Sequence, residues 1–432
     1  MLRLVSLLTA AALAAGCGQA APSPALTAAR AFAAFAAEPA VNQQIDEATV
    51  ERTAAGTHVA RLPRTGGKAV TFLAYKALDN TLGVTLEQHL NILERAGSSR
   101  LVNAVAFTDD IGPKNTRHYY LRQDDDAGTI TSPYEAADGR GDMNTGAVRT
   151  LKHAVKWGFE TYPGRLRWLD INSHGGGYYG ISQDDRSESI IRLPALASAL
   201  AAASGGQPLD LLSFDACLMA TIEVAYELRQ AARVMVASED SSYALGMNYD
   251  QTLEALAEAP TRDPRALGRD LVLRSERKGR NKALYTVSAI DLSRAEIATR
   301  AVDQLARALL AALPTHRQAI RQALAAVPAF YVAGPDRSDF NHRDLNQVAE
   351  QLRLRVPDTA IQNACFAVKT TLFGRGGAIL VSRSAREERG AARGLSIYLP
   401  TEGQVDPIYR ETSFAKQTLW DDALAAILKS TP

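Results

Sequence analysis

Two short apolar runs that end on reactive side chains place the strongest constraint on how this chain can fold. Residues 209–215 (LDLLSFD) lead into Cys217, and residues 165–172 (RLRWLDIN) lead into His174. Both runs are too short and too unbroken for an amphipathic helix, and they are typical of strands in a parallel sheet covered on both faces. Because functional groups gather at the carboxyl ends of such strands, we expect the thiol and the imidazole to lie close together.

The rest of the chain alternates strands with helices, which indicates βαβ units and an α/β fold with a mostly parallel sheet. Beyond residue 259 the pattern is mostly helical, and the polar stretches 124–140 and 183–188 are predicted to be surface loops. The main predicted strands are 68–75, 101–107, 116–121, 165–172, 209–215, 233–238, 284–290, 378–383 and 394–399, and the main predicted helices are 85–96, 146–161, 193–203, 219–232, 264–275, 295–312, 317–327 and 345–354.

The composition permits a large buried core. With 432 residues, 46% of them hydrophobic and 22% charged, the chain can form one large α/β domain or two smaller ones. The formal net charge of +1 gives no electrostatic reason to expect nucleic acid as a partner. Beyond the N-terminus, no apolar run approaches the roughly 20 residues that span a bilayer.

The N-terminal residues have the pattern of an export signal. Arg3 precedes an apolar segment that ends in LAAGC at residues 13–17, an ending that resembles a bacterial lipoprotein signal with Cys17 as the lipidated residue. Ordinary signal cleavage nearby is the alternative. Because Gly18 rather than Asp follows the cysteine, we expect a lipid anchor in the outer membrane or at the cell surface, and a periplasmic or secreted protein in the alternative case.

These features divide the chain into four predicted parts. Residues 1–17 form the lipoprotein-type signal, and residues 18–65, rich in Ala, Pro and Thr, form a tether. Residues 66–260 form the core that contains both reactive side chains. Residues 261–432 form a C-terminal part, rich in helices, that completes the fold.

Two cysteines remain after the predicted signal, Cys217 and Cys365. An exported protein could join them in a disulfide. Cys217, however, lies between a strand and a predicted helix, where a thiolate is useful, whereas Cys365 lies within the apolar helical pattern IQNACFAV. We therefore interpret Cys365 as a buried core thiol.

Of the seven histidines, His174 differs because it follows a buried strand and precedes three glycines. Glycines leave room for a substrate backbone and expose backbone N–H groups, although a turn that needs positive φ beside a structural histidine is the alternative. The HGGG run has no accompanying G-x-S-x-G motif, so an esterase is not supported, and no His/Cys pairing has zinc-ligand spacing. The pattern favours a cysteine nucleophile with a histidine partner.

Residues 214–229 (FDACLMATIEVAYELR) and 141–177 (GDMNTGAVRTLKHAVKWGFETYPGRLRWLDINSHGGG) resemble the clostripain family of cysteine peptidases, in the clan of caspases, legumains and gingipains. The resemblance runs from about Lys68 to the C-terminus, and it includes KAVTFLAYKALDN, VASED and GLSIYLP. It implies a caspase-like, mostly parallel sheet flanked by helices. Tyr178-Tyr179 departs from the family pattern, since relatives often have a Trp shortly after the His-Gly.

The resemblance implies that the chain is a cysteine endopeptidase with a two-residue catalytic dyad. Cys217 would attack the scissile carbonyl, and His174 would protonate the leaving amine. The backbone N–H groups of Gly175 and Cys217 would hold the oxyanion, and the helix beginning at Met219 would help to lower the pKa of the thiol.

The resemblance also places Asp215 in the primary specificity pocket, where its carboxylate would favour Arg or Lys before the scissile bond. The alternative role for Asp215 is to cap the helix that begins at Met219. Glu239 and Asp240 end the next strand and could help to line the pocket, with solvated loop charges as the alternative.

Family members are often zymogens that cleave themselves in the loop after the catalytic histidine. Arg186 is the basic residue that we predict to precede this cut, and Arg192 is the alternative. No cofactor is required by the resemblance. Calcium stimulates some relatives, but the acidic stretch 124–126 lacks EF-hand spacing, so calcium rests on the resemblance alone.

Two other functions stay open from the sequence. The first is legumain-like cleavage after Asn or Asp, against which the acidic side chain of Asp215 argues. The second is a non-catalytic surface lipoprotein that binds peptides, and such a protein would not need both His174 and Cys217 at strand ends. In each case the expected partners are proteins or peptides, and the membrane through the N-terminal lipid.

Overall fold

A ten-stranded sheet forms the centre of the fold. The computed structural model describes residues 61–137, 142–275, 286–330, 341–384 and 392–429, together with the backbone of residues 55–58. The predicted signal, Cys17 and most of the predicted tether lie outside the described residues. Within the described ranges, no helix has both the length and the apolar character needed to cross a membrane.

The strands follow the apolar runs of the sequence, usually within two residues of the predicted ends. They are β1 (Ala55–His58), β2 (Lys68–Ala77), β3 (Val102–Asp109), β4 (Arg117–Tyr120), β5 (Ile130–Ala136), β6 (Gly164–Asn172), β7 (Ile181–Asp184), β8 (Ser189–Ile191), β9 (Leu209–Asp215), β10 (Ala232–Ala237), β11 (Thr286–Asp291), β12 (His342–Asp344), β13 (Ile379–Ser384) and β14 (Ser396–Tyr398).

The middle of the sheet is parallel and its flanks are mixed. The order of the ten strands is β1-β5-β4-β3-β2-β6-β9-β10-β11-β13. Strands β3, β2, β6, β9 and β10 pair in parallel, while β4 and β11 join them in antiparallel fashion on either side. The pairs β7–β8 and β12–β14 form separate two-stranded sheets. The α/β fold with a mostly parallel sheet is therefore confirmed.

Eleven helices of the described residues surround the sheet. They are α1 (Leu86–Ala96), α2 (Val148–Thr161), α3 (Leu193–Ala203), α4 (Ile222–Glu227), α5 (Tyr249–Glu258), α6 (Pro264–Arg274), α7 (Ala295–Ala325), α8 (Leu345–Arg355), α9 (Thr359–Phe373), α10 (Ser413–Gln417) and α11 (Trp420–Leu428).

Both faces of the sheet are covered, which explains the unbroken apolar runs. Alternate residues of β2 point to opposite sides: Leu73 and Tyr75 belong to one core, and Phe72 and Ala74 belong to the other. Helices α2, α3, α4, α7, α8, α9 and α11 contribute to the first core, and α1, α5 and α6 contribute to the second. Burial on both faces fixes the register of the central strands, and thereby the positions of the residues at their ends.

Three local predictions were wrong. The stretch 124–140, expected to be a loop, contains β5 with Pro133 inside it. The loop expected at 183–188 is not among the three, since 185–188 form the exposed turn of the β7–β8 hairpin. The helices expected at 295–312 and 317–327 are one helix, α7, that continues through Pro314. The helix expected from residue 219 to 232 is limited to the six residues of α4, which begins at Ile222.

Candidate active site

His174 and Cys217 follow the carboxyl ends of two adjacent parallel strands, as the sequence predicted. In the pairing of β6 with β9, Asn172 lies opposite Asp215. The Asn172 side-chain amide also donates a hydrogen bond of 2.9 Å to the backbone oxygen of Asp215. The two loops therefore leave the sheet at the same level, and this register brings the loop of the imidazole beside the loop of the thiol.

The two loops touch at Gly175. A Cβ atom at this position would lie 2.6 Å from the backbone oxygen of Cys217 and 2.9 Å from the Cβ atom of Ala216. Such distances are too short for any side chain, so only glycine permits this approach. Contact at Gly175 brings its backbone close to that of Cys217, and the role of their N–H groups as oxyanion donors stays a prediction.

Backbone bonds to the end of β10 hold the loop that contains Cys217. Leu218 has a positive φ of 61°, and its N–H donates to the backbone oxygen of Asp240 at 3.1 Å. The N–H of Ser242 points at the Cys217 sulfur at 3.2 Å and favours negative charge there. The thiol is only half-buried, so a substrate can reach it.

The helix that follows Cys217 does not begin at Met219. Thr221 caps α4 and accepts a hydrogen bond from the N–H of Val224 at 3.1 Å. The helix therefore begins three residues later than expected, and its effect on the pKa of the thiol stays a prediction. Asp215 does not cap this helix either, so the capping alternative for that residue is wrong.

His174 is buried, with 5% of its surface exposed, and its ring has one hydrogen-bond partner that the sequence did not reveal. The hydroxyl of Thr81, just beyond the end of β2, lies 2.8 Å from Nε2 of the ring. Burial lowers the pKa of His174 to about 3, so the ring is neutral at neutral pH. A hydroxyl at this distance can orient the ring.

Asp215 lies at the end of β9 with its carboxylate buried. Its Oδ1 accepts a hydrogen bond from the N–H of Met247 at 3.2 Å, and its Oδ2 lies 3.6 Å from Nζ of Lys76. Gly246 covers this carboxylate closely, since a Cβ there would be 2.0 Å from Oδ2. Burial, and then the nearby charge of Asp170, raise the pKa of Asp215 to about 7.

Lys76 also forms an ion pair with Asp170 of β6. The distance from Nζ to Oδ2 of Asp170 is 3.1 Å, and both side chains are completely buried. Oδ1 of Asp170 accepts hydrogen bonds from the hydroxyl groups of Ser213 at 2.8 Å and Tyr249 at 2.7 Å. A polar network therefore runs across β2, β6 and β9 directly beneath the loops.

Glu239 and Asp240 are both buried, so the alternative of solvated loop charges is wrong. Asp240 accepts a hydrogen bond from the N–H of Ser241 at 2.8 Å. The Glu239 carboxylate accepts one from the N–H of Gly394, in the C-terminal part, and burial and then Asp344 raise its pKa well above the ordinary value. These contacts connect the end of β10 to the C-terminal part, and a role for either residue in substrate binding stays a prediction.

Arg186 lies in the turn of the β7–β8 hairpin, and its guanidinium Nε is 3.1 Å from Oδ2 of Asp79. The side chain is 40% exposed. Arg192, which precedes α3, stacks over the ring of Tyr179 at 4.1 Å and pairs with Glu411 at 3.9 Å. Arg186 therefore has the more accessible position, in a turn after the histidine loop.

Three buried carboxylates, Asp79, Asp109 and Asp184, lie within 4.8 Å of one another near this hairpin. Their oxygen atoms are the kind of ligand that calcium prefers. Arg186 pairs with one of them, Thr145 donates hydrogen bonds to the other two, and burial raises the pKa of Asp109 to about 8. A proton on Asp109 and the guanidinium of Arg186 thus offset two of the three negative charges of the cluster, and we assign no cation to it.

Cys217 and Cys365 are both free thiols, so they form no disulfide with each other. Cys365 is buried in α9, and burial raises the pKa of its thiol to about 12. This agrees with the interpretation of Cys365 as a core residue, and it leaves Cys217 as the thiol that faces the candidate site.

Thr81, Lys76 and Asp170 were not identified from the sequence as site residues. Their positions depend on β2 lying next to β6, although three strands and two helices separate them in the chain. The available signal was the location of Lys76 and Asp170, which are charged residues inside apolar strand runs. A charge in such a run requires a buried partner.

The model of the clostripain family matches residues 75–426 of this chain, a range that includes both reactive residues. No curated protein gives a significant match.

Solved structures of C11 cysteine proteases have the same fold. A secreted C11 cysteine protease from Bacteroides thetaiotaomicron, in complex with an irreversible peptide inhibitor, gives a TM-score of 0.59 at 19% identity over 83% of this chain and 99% of its own. An inactive zymogen C11 protease from Parabacteroides distasonis gives a TM-score of 0.58 at 20% identity, over 84% of this chain and 99% of its own. A further secreted C11 cysteine protease from Bacteroides thetaiotaomicron, iotapain, gives a TM-score of 0.56 at 14% identity, over 83% of this chain and 100% of its own.

Proposed function

We propose that this chain, which belongs to the clostripain family of cysteine peptidases, cleaves peptide bonds after Arg or Lys. The observation that supports this specificity best is the Asp215 carboxylate, which is buried two residues before Cys217. Its Oδ2 accepts no hydrogen bond from the described residues, and Lys76 approaches it only at 3.6 Å. A carboxylate in this condition pairs favourably with a guanidinium or ammonium group.

Cys217 and His174 act as the catalytic dyad in this proposal. The Cys217 sulfur attacks the scissile carbonyl carbon, and its proton passes to the neutral ring of His174. Negative charge that develops on the carbonyl oxygen is held by the backbone N–H groups of Gly175 and Cys217. Burial opposes a charged imidazolium, but the adjacent anionic intermediate favours it, so the protonated ring exists only while that charge is present.

The protonated His174 then gives its proton to the leaving amine as the carbon–nitrogen bond breaks, and a thioester with Cys217 remains. A water molecule attacks the thioester, and its proton passes to the same ring. Collapse of the second oxyanion releases the acid product, and the Cys217 sulfur regains a proton from His174. The cycle needs no metal and no third charged residue.

Export and anchoring belong to the same proposal. The N-terminal signal pattern, with Cys17 as the lipidated residue, would place the peptidase at the outer membrane or cell surface, or in the periplasm or medium if cleavage is ordinary. Self-cleavage after Arg186 would convert a zymogen into the active form. Calcium is not needed for any step above.

Two alternatives make different predictions for substrates. Legumain-like cleavage after Asn or Asp would need a pocket that accepts a neutral or acidic side chain, and the carboxylate of Asp215 disfavours it. A peptide-binding protein without activity would not need the close approach of Gly175 to Cys217.

The test is cleavage of fluorogenic peptides with Arg, Lys, Asn or Asp before the reporter, under reducing conditions, using the protein from Gly18 onward. We expect turnover of the Arg or Lys peptides that Cys217→Ala abolishes and Cys365→Ala, the matched control, retains. Asp215→Asn should reduce kcat/KM for these peptides about 10- to 100-fold, the loss expected for a hydrogen bond between charged groups. Turnover of the Asn or Asp peptides, or of none of the four, would contradict the proposed specificity.

A further inference from the structure

A lysine is completely buried between two carboxylates below the candidate site. Nζ of Lys76 lies 3.1 Å from Asp170 and 3.6 Å from Asp215, and it is also 5.4 Å from the centre of the Tyr249 ring. Burying a charged lysine costs free energy unless the charge is paired. Lys76 is paired with both carboxylates, and we ask what this arrangement does for the site. The three charged residues come from the three adjacent strands β2, β6 and β9, which hold them in fixed positions.

The two carboxylates differ in how completely they are satisfied. Asp170 is contacted by three side-chain donors: Lys76 and the hydroxyl groups of Ser213 and Tyr249. Asp215 receives the N–H of Met247 on Oδ1, while its Oδ2 has Lys76 at 3.6 Å and no hydrogen bond of good geometry from the described residues. The hydroxyl of Tyr249 is near both carboxylates but donates to Asp170. Lys76 is closer to Asp170 than to Asp215, so we attribute its charge to the former.

We propose that Lys76 and Asp170 determine the charge of the specificity pocket, leaving a single net negative charge on Asp215 to bind one substrate cation. This inference rests on the proposed function, in which Asp215 contacts the residue before the scissile bond. Lys76 and Asp170 are then specificity-determining residues that act through Asp215 without contacting the reacting atoms.

The charge balance explains why both residues are needed. Without Lys76, two buried carboxylates would repel each other, and one of them, either Asp170 or Asp215, would hold a proton, so the negative charge would not be confined to Asp215. Without Asp170, Lys76 would form its ion pair with Asp215 alone, and the net charge of the pocket would be zero before a substrate binds. With both residues in place, the pocket lacks one positive charge, which an Arg or Lys side chain supplies.

The experiment compares two peptide reporters that differ only in charge, one with Lys and one with norleucine before the scissile bond. For each enzyme the ratio of kcat/KM for Lys to that for norleucine is measured on one preparation, so the ratio does not depend on the folded fraction. We expect Asp170→Asn to lower this ratio roughly 10- to 100-fold while kcat for norleucine changes little. The double variant K76Q/D170N removes one charge of each sign, and we expect it to restore the ratio.

Asp170→Ser, which is also neutral, replaces Asp170→Asn if the latter is not recovered in folded form. If Asp215→Asn lowers the ratio but the Asp170 variants keep it, the inference is overturned and the proposed function stands. Failure of K76Q/D170N to restore a ratio lost in Asp170→Asn would also overturn it, because the network would then be only structural. A wild-type enzyme that does not prefer Lys to norleucine would overturn both proposals.

Discussion

At the scale of single residues, the contact between Thr81 and His174 bears most directly on the proposed catalytic dyad. The ring of His174 is buried, and the hydroxyl of Thr81 lies 2.8 Å from Nε2. A neutral imidazole has one proton, and the partner of one nitrogen decides which nitrogen carries it. In the proposed dyad Thr81 would be a positioning residue, supplied by the turn after β2, which is distant in sequence from His174.

We expect Thr81→Val to lower kcat about 10- to 100-fold with little change in KM, because a misplaced ring transfers protons poorly. Thr81→Ser keeps the hydroxyl and should retain most of the activity. The measurement is steady-state kinetics on a Lys or Arg peptide, with melting curves to verify that all variants fold. Equal loss in the serine and valine variants would show that the hydroxyl is not the feature that matters.

The reactive residues themselves could be predicted from the sequence, because each stands at the end of a readable strand. The loops that contain His174 and Cys217 leave adjacent strands and touch at Gly175, while the catalytic roles of these residues stay predictions. Their partners could not be predicted in this way. Thr81 and Lys76 approach the site only because β2 inserts beside β6, and strand order in a parallel sheet depends on packing between distant segments.

At the scale of secondary structure, the β7–β8 hairpin after the histidine loop differs most from expectation. Asp185, Arg186 and Glu188 are exposed in its turn, as expected. The strand pairing on either side, between Ile181 and Ile191 and between Asp184 and Ser189, was not predicted. The turn holds Arg186 against Asp79 through an ion pair. Periodicity is hard to detect in strands of three or four residues, and this explains why the hairpin was missed.

We expect active enzyme to cleave itself after Arg186, and Arg186→Gln to remain a single chain at this position during prolonged incubation. Arg192→Gln is the matched control and should be processed like the wild type. Asp79→Asn, which releases the arginine side chain, should be processed faster. The measurement is gel electrophoresis with mass spectrometry of the fragments, and the same fragments from Arg186→Gln would refute the assignment.

At the scale of the whole molecule, buried ionisable groups make stability depend on pH in two directions. Burial raises the pKa of Asp109 to about 8, of Asp215 to about 7 and of Glu223 to about 6. Below those values these groups keep protons in the folded, substrate-free state that the unfolded chain releases, so their contribution is lost as pH rises through those values. Above pH 7 Asp215 carries the negative charge that the proposal assigns to it. His174 and His342, with pKa values lowered to about 3, oppose folding as pH falls below their ordinary 6.5.

Stability should therefore decline from pH 6.5 to pH 8.5, where Asp215 and Asp109 ionise and the histidines are already neutral. We expect Asp109→Asn to reduce the accompanying fall in Tm by ~2–4 °C, because the amide has no charge to bury. Asp125→Asn, at an exposed carboxylate, is the control and should follow the wild type. Melting curves at the two pH values measure the effect, and an unchanged fall in Asp109→Asn would contradict it.

The β7–β8 hairpin lies in the chain between β6 and β9, two strands that are neighbours in the central sheet. A cut after Arg186 would leave β2, β3 and β6 on one fragment and β9, β10 and β11 on the other. Because β6 and β9 are neighbours in the middle of the sheet, the two fragments would share one continuous set of backbone hydrogen bonds and one core. The mature enzyme would then be an obligate heterodimer made from a single gene product, with the imidazole on one subunit and the thiol on the other.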